Sequence, residues 1–212
     1  VQDVTRRATK FAKRSLNHGV TRLRTHTDVD PLVEMRSMEA LGSVKDQMSA
    51  QLDVEIVAFS TSKNDLLSHQ GRDRLEHAVG QGADIVGAGL NSSEQPVEAL
   101  SKLFNLAEKF SLPVDLHMDE HLSTADSLTP KLIEMVLAHG LQGRVSLSHG
   151  CVLAAFDAVT SARCIDGLAR AEITVIALPE TNLFLQDRGA GTPKRRGITL
   201  AHELLSAGVK VR

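Results

Sequence analysis

Aromatic residues are scarce in this chain, which has six Phe and no Trp or Tyr among 212 residues. The core must therefore be built from aliphatic side chains. No apolar run approaches the length of about 20 residues that a membrane helix needs, which argues against a membrane protein. Neither sign of charge dominates, since the formal net charge is -2, so nothing indicates binding to nucleic acid or to a membrane surface. With 42% hydrophobic and 24% charged residues, the composition predicts a single globular domain over residues 1–212.

Cysteine is also rare, with Cys151 and Cys164 as the two in the chain. Their spacing does not match a metal-binding knuckle, and no secretory hydrophobic region precedes them. We therefore expect reduced thiols in a cytoplasmic protein.

Strand patterns and helix patterns alternate along the chain. Strands are predicted at residues 22–30, 54–59, 83–90, 113–120, 144–149 and 173–177, with a further start at 209–211. Helices are predicted at the N-terminus and at residues 31–52, 72–80, 94–110, 128–139, 151–171 and 198–207.

Successive strands begin about 30 residues apart, which is the size of one βα unit. This order predicts an α/β fold, a (β/α)8 TIM-like barrel that lacks its first strand and most of its last. An open doubly wound sheet is the alternative, although no G-x-G-x-x-G motif opens any of the helices. Because a barrel without a strand leaves unpaired edges, we expect the sequence to be a piece of a longer protein.

Ionisable residues cluster where the predicted strands end. Strict alternation over 113–120 places Asp115, His117 and Asp119 on the face opposite Val114 and its apolar partners. In a parallel barrel the carboxyl ends of the strands form the active site. That rule selects His26, Asp28, residues 61–63, Asn91, residues 117–120, His149 and residues 180–182.

His117 and Glu120 can act as a metal ligand and a proton shuttle. A divalent ion lowers the pKa of a bound water, and a nearby carboxylate can pass its proton to a leaving amine. His149, at the end of the next strand, could hydrogen-bond the resulting hydroxide. The alternatives are a surface His–Glu pair and a strand-end histidine that is only a satisfied polar residue. Three such residues at adjacent strand ends favour the functional interpretation.

Several segments together resemble cytosine deaminase and its relatives in the amidohydrolase superfamily. They are Arg24-Thr25-His26-Thr27-Asp28-Val29-Asp30, Asp115-Leu116-His117-Met118-Asp119-Glu120, Ser148-His149 and Pro193-Lys194-Arg195-Arg196-Gly197-Ile198-Thr199. The resemblance implies a metal-dependent barrel hydrolase with one divalent ion, iron or zinc, bound by a first-strand His-x-His, His117 and a last-strand Asp. It also implies that Glu120 moves protons and that His149 orients the attacking water. Of the four expected ligands, the sequence contains His117.

Substrate contacts are predicted for Thr61, Asp119 and His26. Cytosine deaminases usually follow Ala-Phe on the third strand with Pro-Gln, whereas here Ala58-Phe59 precede Ser60-Thr61. Thr61 cannot reproduce the bidentate contact of an amide. For Asp119, facing water is an equal alternative.

The predicted activity is the release of ammonia or an amine from a small, cytosine-like nitrogen heterocycle by metal-activated water. A triazine or another cyclic amidine is the alternative substrate, and a non-catalytic ligand-binding barrel is the alternative of another class. The expected partner is this small molecule, and a homo-oligomer is left open.

Overall fold

The structure is a computed structural model that describes residues 1–61, 64–91, 93–186, 188–189, 191 and 196–212. Its contacts divide the chain into two compact units. The first unit comprises residues 1–89 and 102–113, and the second comprises residues 90–101 and 114–212. The single domain expected over 1–212 stays a prediction.

Among its described residues, the first unit contains three parallel strands and three complete helices. They are α1 (Gln2–Asn17), β1 (Arg22–Asp28), α2 (Arg36–Met48), β2 (Asp53–Ser60), a 3-10 turn (Asp65–Leu67), α3 (His69–Gly80) and β3 (Ile85–Gly89). β1 pairs with β2, with His26 opposite Val57, and β2 pairs with β3, with Val57 opposite Ile85. Val57, Phe59 and Ile85 form a buried apolar cluster in this unit. The helix α4 (Pro96–Phe110) has residues in both units.

The second unit repeats the alternation of parallel strands and helices. Its elements are β4 (Val114–Met118), a 3-10 turn (Thr124–Asp126), α5 (Thr129–Ala138), β5 (Val145–His149), a 3-10 turn (Cys151–Ala155), α6 (Ala158–Arg170), β6 (Thr174–Ile176), α7 (Pro179–Leu185) and α8 (Ala201–Ser206). β4 pairs with β5, and β5 pairs with β6. Val211 forms a parallel bridge with Val175, at the point where the sequence predicts the start of another strand.

The core of the second unit lies along its strands. Leu116 pairs with Leu147, which pairs with Val175, and all three are fully buried. Burying a side chain of this size contributes about 1.5–3 kcal/mol. Apolar residues in the middle of β4, β5 and β6 therefore stabilise these strands, whose carboxyl ends carry the polar groups.

One helix prediction and one strand-end prediction differ from the structure in detail. The helix predicted over 151–171 is divided, because Asp157 is an extended N-cap whose side chain accepts hydrogen bonds from the backbone N–H groups of Val159 and Thr160, both at 3.0 Å. Such a cap starts a new helix. Residues 180–182, predicted at a strand end, lie instead on α7, which begins with Pro179 in its first turn. Proline there is favourable because its missing N–H would have no helical partner.

No helix among the described residues is long and apolar enough to cross a membrane.

Candidate active site

The strands β4 and β5 both leave extended geometry by a residue with positive φ. Asp119 follows β4 with φ 55°, and His149 ends β5 with φ 77°. Residues other than glycine rarely adopt such values, which cost about 1–3 kcal/mol and cluster at functional sites. Met118 lies opposite His149 in the β4–β5 register, so the two strand ends are neighbours.

The turn at Asp119 redirects Glu120. Strict alternation would place its side chain away from that of His117. In the structure, Glu120 Oε2 lies 3.5 Å from His149 Nε2, and the His117 and His149 rings lie edge to face with centroids 5.2 Å apart. The structure therefore brings together the three residues on which the sequence prediction of catalysis depends.

Two amide side chains anchor this end of β4. The Asn91 side chain accepts a hydrogen bond from the Asp119 backbone N–H at 2.9 Å, and its Nδ2 donates to Glu120 Oε1. Gln186 donates to the Glu120 carbonyl oxygen at 2.7 Å and accepts from the Gly197 backbone N–H. One oxygen of the Glu120 carboxylate is thus held by Asn91, while the other faces His149.

His149 is almost fully buried, and hydrogen bonds fix both its ring and its backbone. Its Nδ1 lies 2.8 Å from Asn182 Oδ1, and its carbonyl oxygen accepts a hydrogen bond from Thr199 Oγ1 at 2.5 Å. A carbonyl oxygen only accepts, so this arrangement places a hydrogen on Nδ1. In the neutral ring, Nε2 is then the basic nitrogen that faces Glu120.

The Asp119 side chain is buried and fully engaged at the start of α5. Its Oδ2 accepts from Ser127 Oγ at 2.8 Å, from Thr129 Oγ1 at 2.6 Å and from Thr129 N at 2.9 Å, and its Oδ1 accepts from Leu128 N at 3.0 Å. These contacts indicate a structural role. The predicted substrate contact of Asp119 stays a prediction.

A cavity of about 690 Å³ adjoins Glu120. Its lining comprises Glu120, His121, Leu122, Ser123, Asn182, Leu185 and Gln186. This volume lies within the usual range of small-molecule sites.

Cys151 is buried next to these groups, and its thiol has a raised pKa. Burial raises the pKa of its thiol to about 11, against hydrogen bonds from Gln186 and Thr199 that lower it. A thiol with this pKa stays protonated near neutral pH, and the thiolate is the reactive form.

The predicted substrate-contacting residues His26 and Thr61 belong to the first unit. His26 lies near the end of β1 and packs edge to face against Phe59, with ring centroids 5.1 Å apart. Thr61 follows β2 and hydrogen-bonds Asp28, whose pKa is raised by burial and by the nearby charge of Asp30. Residues 62–63 of the same strand end, and residues 193–195 of the segment that resembles cytosine deaminases, lie outside the described residues.

Sequence reasoning missed the groups that support the site. Gln186 and Thr199 reach it from distant segments, and no local pattern around them indicates such contacts. Asn91 and Asn182 fall among the residues selected by strand ends, but their partners do not follow from that rule. The Thr129-Pro130 pair at the start of α5 is a helix-start signal that could have indicated a partner for Asp119.

Comparison with known proteins decides the family. The model of the Amidohydrolase family matches residues 3–212. The chain belongs to the amidohydrolase family. It is 33% identical over 210 residues to a pterin deaminase of Rhizobium rhizogenes, which covers 98% of the chain and 47% of that protein. It is 26% identical over 151 residues to the N-isopropylammelide isopropyl amidohydrolase of a Pseudomonas species, covering 70% of the chain and 37% of that protein.

The amidohydrolase fold is also found among solved structures. The 5-methylcytosine deaminase of Klebsiella pneumoniae, solved with 5-fluorocytosine, matches with a TM-score of 0.90 and 31% identity, over 99% of this chain and 51% of that one. This likeness and the six parallel strands confirm the predicted class, an α/β fold of the TIM-like amidohydrolase type. The chain spans about half the length of the pterin deaminase and of the 5-methylcytosine deaminase.

Amidohydrolases are typically metal-dependent, and one from Burkholderia ambifaria was solved with bound Zn. That structure matches this chain with a TM-score of 0.67 and 11% identity, so the likeness shows a shared fold and no more. In this chain His117 Nε2 lies 3.8 Å from Asp115 Oδ1, and Asp115 is fully buried. Imidazole nitrogen and carboxylate oxygen are donors that suit zinc and iron. The chemistry of this pair therefore fits part of a metal site.

Proposed function

We propose that this chain is part of a hydrolase that releases ammonia or an amine from a small nitrogen heterocycle. The observation that carries the proposal is the convergence of Glu120, His149 and His117, with 3.5 Å between Glu120 Oε2 and His149 Nε2. Groups this close can both reach one water, and hydrolysis of a C–N bond requires a group that carries protons from that water to the substrate.

His117 is the residue of the chain that we assign as a metal ligand, with Asp115 beside it. When bound, an iron or zinc ion supplies a water of lowered pKa at the strand ends. A single imidazole binds a catalytic ion weakly, so the proposal includes further ligands from the rest of the protein.

The geometry of Glu120 and His149 supports the following proton steps. His149 Nε2, bare in the neutral ring, accepts a hydrogen bond from the attacking water and orients it. Glu120 takes a proton from that water as the oxygen bonds to the amidine carbon, and delivers it to the adjacent ring nitrogen. Glu120 then passes the second proton to the exocyclic nitrogen as the C–N bond breaks, so that ammonia or an amine leaves and a ring carbonyl remains. Asn91 holds Glu120 Oε1 during these steps.

For the substrate we propose a cyclic amidine of one or two rings. The cavity of about 690 Å³ has room for either size. Relatives named for pterin, 5-methylcytosine and N-isopropylammelide support this class and keep pyrimidines, pteridines and triazines as candidates. We further propose a cytoplasmic location, which is supported by the two buried, unpaired cysteines Cys151 and Cys164.

The test is an ammonia-release screen of the full-length protein that contains this chain, across aminopyrimidines, aminopteridines and aminotriazines, with added zinc or iron. For the best substrate, Glu120→Gln should lower kcat by about 100- to 10,000-fold, because the amide cannot carry a proton between water and substrate. The matched control is Glu134→Gln, since Glu134 is an exposed carboxylate of α5 that pairs with Lys131. Full activity of the Glu120 variant would contradict the mechanism. Absence of turnover with every ring, despite binding, would favour a ligand-binding barrel.

A further inference from the structure

Asn182 stands out among the three amides near Glu120 and His149. Both polar ends of Asn91 and of Gln186 are engaged in hydrogen bonds to the end of β4 or to Gly197. Asn182 is 1% exposed, and its Oδ1 is used by His149 Nδ1. Its Nδ2 is buried and has no hydrogen-bond partner among the described residues.

A buried amide nitrogen without a partner is destabilising, because its two N–H groups have lost water. Such groups are rare in native proteins, and each calls for an explanation such as a functional role or a bound water or ion. Asn182 lines the same cavity of about 690 Å³ as Glu120, so a ligand bound in this cavity lies beside the Asn182 side chain.

We propose that Asn182 is a substrate-binding residue whose Nδ2 donates a hydrogen bond to a carbonyl oxygen on the heterocycle, while its Oδ1 holds His149. This inference rests on the proposed function. The acceptor on the substrate is a carbonyl oxygen rather than the reacting ring nitrogen, because that nitrogen receives a proton from Glu120 in the proposed mechanism. Asn182 therefore selects rings that carry an oxo group in addition to the amidine.

The same residue couples binding to catalysis. Asn182 Oδ1 accepts a hydrogen bond from His149 Nδ1 in one orientation of the amide. That orientation leaves His149 Nε2 without a hydrogen where it faces Glu120, and it also directs Asn182 Nδ2 away from His149. A rotation of the amide by half a turn would lose both arrangements together.

The test compares two probes, 4-aminopyrimidin-2-one and 4-aminopyrimidine, which differ by the carbonyl group and the ring N–H beside it. Dissociation constants are measured calorimetrically for metal-loaded, full-length protein in a Glu120→Gln background, where turnover does not interfere. Asn182→Asp retains an oxygen facing His149 and replaces the donor by a negatively charged oxygen of nearly the same size, which repels a carbonyl oxygen. We expect it to weaken binding of the oxo ring at least tenfold and to change binding of the carbonyl-free ring less than threefold.

The ratio of the two dissociation constants is the decisive quantity, because a loss of folded protein affects both probes alike. Asn182→Ala should change the ratio in the same direction, and Asn105→Asp, at an exposed position of α4, should leave it unchanged. An unchanged ratio in both Asn182 variants would overturn the inference. The proposed function is judged separately by ammonia release from the protein with Glu120 and Asn182 intact.

Discussion

Replacing Asp119 by Asn tests whether this carboxylate supports the fold or contacts substrate. The change removes a charge and turns one oxygen into an NH₂ group with almost no change in shape. Asn also tolerates the left-handed backbone that Asp119 adopts, with φ 55°. The substitution therefore isolates the hydrogen bonds of the side chain from the turn that redirects Glu120.

The expected loss of stability follows from the four hydrogen bonds that the carboxylate accepts. The Asn oxygen can replace Oδ2, which accepts three of them, so the NH₂ group then faces the backbone N–H of Leu128. Two donors cannot bond each other, and a buried donor left unsatisfied costs about 1–3 kcal/mol. Removing negative charge from the start of α5 adds about 0.3–1 kcal/mol, through the positive end of the helix dipole. With weaker bonds at the remaining oxygen, we expect a total loss of about 2–4 kcal/mol.

The measurement is urea unfolding of Asp119→Asn beside the wild-type protein. Asp126→Asn is the matched control, because Asp126 is exposed and accepts one hydrogen bond from Ser123 at 2.6 Å; it should change the free energy of unfolding by less than about 0.5 kcal/mol. A variant with unchanged stability and a KM raised tenfold or more would refute this reasoning. It would support the substrate contact predicted from the sequence.

Three further predictions concern groups around the same strand ends. Asn91→Ala should lower kcat for the best substrate by about 10- to 100-fold with little change in KM, because Glu120 Oε1 loses the amide that positions it. Steady-state kinetics measure this effect, with Asn105→Ala as the control. A change in KM alone would contradict the prediction. Cys151 should react with iodoacetamide at pH 8 about 100-fold more slowly than a thiol of ordinary pKa, because burial raises its pKa to about 11. Peptide mass spectrometry measures this rate, and fast labelling at pH 8 would contradict the burial argument. The raised pKa of Cys151 should also stabilise the folded state fully below about pH 9, and this contribution should be lost as the pH rises towards 11.

The elements of the fold could largely be predicted from local patterns. Alternation over residues 113–120 and 144–149 predicted β4 and β5, because a strand buried on one face repeats every second residue. The short helix α7 was missed, since its seven residues are too few to show a helical period. The break between the 3-10 turn at Cys151–Ala155 and α6 was missed as well, although Asp157 is a recognisable helix cap.

For the candidate site, residue types and strand ends predicted His117, Glu120 and His149, whose proximity the structure shows. The groups that hold them could not be predicted, because Asn182 lies 33 residues from His149 and Gln186 lies 66 residues from Glu120 in the chain. Such contacts depend on how helices pack against the strand ends, which no local pattern records.

The amino-acid sequence alone determined the order of strands and helices and the chemical groups at the strand ends, because both follow from periodicity and from side-chain chemistry. Tertiary structure decided where those groups point. The left-handed turn at Asp119 directs Glu120 towards His149. The packing of α7 places Asn182 Oδ1 against His149 Nδ1 and leaves Asn182 Nδ2 without a hydrogen-bond partner among the described residues. The backbone keeps these unfavourable torsion angles because the buried hydrogen bonds around Asp119 and His149 offset their cost.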